Sequence, residues 1–143
     1  MEELMIFQMV YVSKAAEDLS AHDCEDIIAS SQRNNAQDGL TGGLLLCDGW
    51  FVQVLEGAVG SVNAVYQRIA GDPRHRYPVI IGAEYLQRRD FPDWKMRLIS
   101  IRNVEDAVPI IRRYTPTTAF DPQGLTRMSA VELMKDLAQA QAS

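Results

Sequence analysis

Cysteine and histidine are scarce in this 143-residue chain, with two of each. Cys24 and Cys47 are too few and too far apart for a disulfide framework or a thiolate metal site, and read as small core residues in a reducing compartment. No apolar run reaches the roughly 20 residues that a membrane-spanning helix requires. The start, Met1-Glu2-Glu3, lacks the basic residues of a secretory signal. Positive charge is not in excess either. The net charge of -5 argues against nucleic acid as a partner, and Arg88-Arg89 and Arg112-Arg113 read as solvated pairs. A cytoplasmic protein with neither a membrane nor a nucleic-acid partner is expected.

The chain is the size of one domain, and its 47% hydrophobic content is enough for one core. Residues 4–13 are apolar at almost every position, as in a strand buried on both faces. Alternation puts Met5, Phe7, Met9, Tyr11 and Ser13 on one side. Ser20 with Asp23 starts a helix whose stripe is Cys24, Ile27, Ile28 and Ser31, continued to Asn34 and Asn35 at its end. Asp48-Gly49 joins strands over 40–47 and 50–56. Val62, Val65, Tyr66 and Ile69 mark a second helix, ended by Gly71 and Pro73. Further strands are expected over 77–86 and 96–101, which gives the order βαββαββ.

Two helices cannot cover both faces of a sheet with so apolar a first strand. The expected fold is therefore α+β and ferredoxin-like, with a five-stranded, mostly antiparallel sheet and both helices on one face. The C-terminal segment covers the other. Its last helix is expected to begin at a Ser129–Glu132 capping box, with Val131, Met134, Leu137 and Ala138 on its apolar side.

Several polar residues stand where apolar ones are expected. Gln53 shares a strand face with Phe51 and Leu55, and a buried amide without partners costs about 1–3 kcal/mol. Tyr11 raises the same question, since buried phenols usually have a partner. Each alone is explained by a bond to backbone. Asn34 and Asn35 offer donors and acceptors at the mouth of an apolar slot between the helices, which suits a planar heterocycle with carbonyl and N–H edges. The turn Asp72-Pro73-Arg74-His75 could be solvated, or could hold a polyol or phosphates through Arg74 and His75. Trp94 and Met96 are expected on one face of the last strand, where such a pair is ordinarily core.

Taken together, VYVS at 10–13, QRNNAQDGLTGGLL at 32–45, FVQVLEG at 51–57, DPRH at 72–75 and RRDFPDWKM at 88–96 resemble the BLUF family, sensors of blue light using FAD. The resemblance runs over residues 4–100. It implies a non-covalently bound oxidised flavin between the two helices, with Ile27 and Ile69 on its two faces and Asn34 and Asn35 at its polar edge. Arg68, Asp72, Arg74 and His75 match positions near the pyrimidine edge, ribityl chain and phosphates. Tyr11, Gln53, Trp94, Met96 and Ser13 fall on the photoactive cluster. The implied chemistry is light-driven transfer of an electron and a proton from Tyr11, through Gln53, that rearranges hydrogen bonds.

Residues 1–100 are then the photosensory domain, and 101–143 a helical extension for output or oligomerisation. The 43 residues of that extension leave no room for a catalytic output domain, so a separate downstream partner and a homo-oligomer are expected. A flavin-dependent or phosphate-handling enzyme on the same fold is the first rival. The absence of a nucleophile beside a base argues against it, and no enzymatic activity is expected. A regulatory or dimerising module without a chromophore is the second.

Overall fold

The computed structural model describes residues 5–115 and 119–142; the side chains of residues 21, 28, 31, 34–38 and 142 lie outside the described set. Strands β1 (Ile6–Ala15), β2 (Thr41–Cys47), β3 (Trp50–Gly57), β4 (His75–Leu86) and β5 (Lys95–Ile101) alternate with helices α1 (Ala21–Asp38) and α2 (Val59–Ala70). Short turns and α3 (Val108–Ile111) then lead to α4 (Arg127–Ala142). The strands form one sheet in the order β4-β1-β3-β2-β5. Three of its pairings are antiparallel, and β2–β5 is parallel. This is the expected ferredoxin-like arrangement.

Local chemistry accounts for the element ends. Ser20 Oγ accepts from the Asp23 amide and Asp23 Oδ2 accepts from the Ser20 amide, each at 3.0 Å, closing the predicted capping box. Asp48 and Gly49 both have positive φ, as the tight hairpin requires. Two predicted boundaries move. Asn34 and Asn35 do not end α1, which runs on through Asp38 to Gly39 at φ +70°. The cap of α4 is the reciprocal pair Thr126–Ser129 rather than Ser129–Glu132, because Thr126 Oγ1 takes the Ser129 amide and the helix starts at Arg127.

The sheet separates two apolar half-cores. One joins Met9, Tyr11, Phe51, Leu55 and Met96 to Ile27 of α1 and to Val62 and Val65 of α2. The other joins Val10, Val12, Val52, Val54 and Ile99 to Ile111 of α3 and to Leu133, Met134 and Leu137 of α4. Alternation along β1 and β3 sends successive residues to opposite sides, so the continuous apolar run of β1 is explained by burial on both.

Candidate functional site

The half-core under α1 and α2 contains polar groups that apolar packing does not require. Tyr11 and Gln53 are directly opposed on β1 and β3, and both are buried. The Tyr11 hydroxyl is buried without a hydrogen-bond partner among the described residues. Burial first, then the proximity of Tyr66 and Asp72, pushes its phenol well above the ordinary tyrosine value, so it stays protonated. The Tyr66 ring meets it edge-on at 5.3 Å. Gln53 Nε2 lies 3.1 Å from Met96 Sδ, a weak acceptor for an amide that could bond a better one. An unpartnered phenol beside a weakly held amide is an arrangement that a polar heterocycle would complete.

Met96 reaches this site by breaking the strand's alternation. Its φ is +73°, uncommon for a bulky side chain, and the β2–β5 register shifts at the same place, between Gly42 and Gly43. Met96 therefore points into the α1–α2 half-core, while Trp94 packs on the opposite face against Phe91, their ring centroids 4.5 Å apart. The expectation that Trp94 and Met96 share a face fails for this reason. Gly43 makes room for the arrangement: a Cβ there would lie 3.0 Å from the Trp94 ring and 2.8 Å from Met134 Cε of α4.

Ile27 and Ile69, one from each helix, pack into the same cluster as Tyr11 and Met96. Ser13 Oγ and His75 Nδ1 are 3.1 Å apart, both buried, and His75 lies against Phe51. Burial lowers the His75 pKa to about 4, so the imidazole is neutral near pH 7. At the rim, Arg74 grips Asp72 through contacts of 2.6–3.1 Å that hold the carboxyl below the usual range. Arg68 is exposed in the last turn of α2. The side chains of Asn34 and Asn35 lie outside the described set.

Residues 6–97 match the family described as BLUF, sensors of blue-light using FAD. The chain belongs to the BLUF family. Among curated relatives, the photoactivated adenylate cyclase subunit beta of Euglena gracilis is 38% identical over 89 residues, which cover 62% of this chain and 10% of that protein. The blue light- and temperature-regulated antirepressor BluF of Escherichia coli K12 is 32% identical over 98 residues, 68% of this chain and 24% of that one. This chain thus spans a small part of the curated relatives it matches. The dark-state structure of BlrB, a BLUF protein, aligns with TM-score 0.73 at 25% identity, over 92% of this chain and 97% of that one. The match covers every strand from β1 to the start of β5, and therefore both walls of the site. The BLUF family is a sensor family, and its chromophore is FAD.

Sequence reasoning missed one polar group on the far face of this BLUF sheet. Gln8 and Glu56 are directly opposed on β1 and β3, three residues along from Tyr11 and Gln53, and both are fully buried. The sequence signals were an amide, Gln8, within the apolar run IFQMV and a carboxylate, Glu56, closing the strand VQVLE.

Proposed function

We propose that this protein is a blue-light photoreceptor that holds one oxidised FAD non-covalently between α1 and α2. The observation that carries this reading is the buried Tyr11 hydroxyl, without a partner among the described residues and set beside Gln53. Ile27 and Ile69 would hold the two faces of the ring and Asn34 and Asn35 its polar edge. Arg68, Asp72, Arg74 and His75 would lie along the pyrimidine edge, ribityl chain and phosphates. FAD is preferred to FMN because the family description names it.

When bound, the flavin supplies blue-light absorption and an excited state that is a strong one-electron oxidant. Tyr11 would be the electron donor, and Gln53, whose amide both accepts and donates, would carry the proton from its Oη. Tyr11 would then take its proton back, and the Gln53 amide would be left rotated or tautomerised, released from Met96 Sδ. Ser13, bonded to His75, sits beside this relay. Trp94, packed between sheet and α4, carries the change toward residues 101–143, the output segment. No nucleophile or base for substrate turnover is assigned to the chain. Its signal passes to a separate protein, and the exposed Tyr77, Val79, Ile80 and Tyr85 of edge strand β4 support a homo-oligomer.

An absorption spectrum tests this directly. Purified protein should be yellow and show a reversible red shift under blue light. Tyr11→Phe should bind flavin but lack the stable shifted state. Protein that stays colourless after refolding with FAD, or a Tyr11→Phe variant with a normal shift, would overturn the proposal.

A further inference from the structure

The sheet face opposite Tyr11 and Gln53 carries a second, fully satisfied polar cluster. Glu56 Oε1 accepts from Thr41 Oγ1 at 3.2 Å and from the Phe91 amide at 2.9 Å. Its Oε2 accepts from Gln8 Nε2 at 2.8 Å and from the Asp90 amide at 2.7 Å. Gln8 Nε2 also donates to Asp90 Oδ2 at 2.7 Å, and Gln8 Oε1 accepts from Arg127 at the start of α4. One turn-pair further along α4, Lys135 Nζ lies 3.6 Å from Asp90 Oδ1. Arg89 closes the edge by donating to Thr41 Oγ1 and to the Glu56 carbonyl. Gly82 lets α4 approach this closely, since a Cβ there would stand 2.7 Å from Arg127 Cβ.

A buried carboxylate could be replaced by a well-packed apolar residue at little cost to stability, so its four donors call for another explanation. They come from three separate parts of the chain: β1, β2 and the loop between β4 and β5. That loop leads straight into Trp94 and Met96. We infer that Glu56 is a positioning residue that ties the β4–β5 loop to the β1–β3 ladder, and that Gln8 and Arg127 pass the loop's position on to α4. The inference rests on the photosensory reading above and names its route of output. Tyr11–Gln53 and Gln8–Glu56 are rungs of one antiparallel ladder. A change in the first pair thus reaches the second through backbone shared by both strands, and reaches the loop independently through Met96. The bonded cluster is one arrangement, and its release in the light would be the second that a switching element requires.

Glu56→Gln is the sharpest test. Every contact of the carboxylate is with a donor, so an amide NH2 must face two N–H or O–H groups whichever way it sits. Light-minus-dark hydrogen exchange should show, in the wild type, altered uptake in peptides from 87–94 and from 127–142. Glu56→Gln should keep the red shift and lose both differences. Arg127→Met, at the periphery and tolerable even where Glu56→Gln fails to fold, should keep the difference in 87–94 and lose that in 127–142. In darkness, Glu56→Gln should also raise uptake at the start of α4 by about three- to tenfold, the factor that one lost hydrogen bond supplies, although Glu56 bonds no residue of α4. Variants that retain a wild-type light difference in 127–142 would overturn the inference. If the wild type shows no red shift, the photosensory reading fails, and unchanged dark exchange in Glu56→Gln would then reject the latch as well.

Discussion

At the scale of single residues, His75 gives the clearest measurable consequence. Its folded pKa of about 4 lies below the ordinary 6.5, because burial disfavours the imidazolium. Between those values the unfolded chain takes up a proton that the folded one refuses, so stability falls as pH drops from 6.5 toward 4. The loss should be on the order of 3 kcal/mol. Denaturant melts from pH 7 to pH 4 should show it in the wild type and a flatter profile in His75→Phe. The sequence made Tyr11 and Gln53 legible because each is a polar interruption of an apolar strand face. It could not reveal that Met96 leaves the face of Trp94, since a positive φ at methionine has no sequence signature. Nor could it reveal that the amide of Gln8 lies beneath α4, since that contact spans 119 residues.

Among the elements, β2 is the most sensitive to added volume. A Cβ at Gly42 would stand 1.9 Å from the Val54 carbonyl oxygen, and φ +147° disfavours any L side chain there. At Gly43 the nearest atom is the flexible end of Met134, at 2.8 Å. Gly42→Ala should therefore abolish folding or cost more than the ~1–3 kcal/mol typical of overpacking, while Gly43→Ala should fall within that range. Thermal melts of the two variants, compared with the wild type, check the order. Strand and helix identities were readable from periodicity, caps and the Asp48-Gly49 turn. The last turn of α1 and the first of α4 were not, because several residues at each could cap and only backbone geometry decides among them.

For the whole molecule, the division into two half-cores means that stability and chromophore binding should separate. Leu133→Ala empties the α3–α4 side, where Leu133 is fully buried. It should lower stability by about 2–5 kcal/mol and leave flavin occupancy intact at temperatures where the fold survives. Melting followed by far-UV dichroism, with flavin absorbance read alongside, distinguishes the two losses. The two-faced sheet was foreseeable from the mostly apolar β1, whereas the order β4-β1-β3-β2-β5 rests on non-local pairing that periodicity does not encode. That order leaves β5 at an edge, with β2 its one strand neighbour and its first paired residue set apart by the shift at Gly42–Gly43. Opening of this edge should therefore be graded: the β2-facing amides within 95–97 should exchange readily, while those within 99–101, beyond the dislocation and in continuous register, should exchange more slowly.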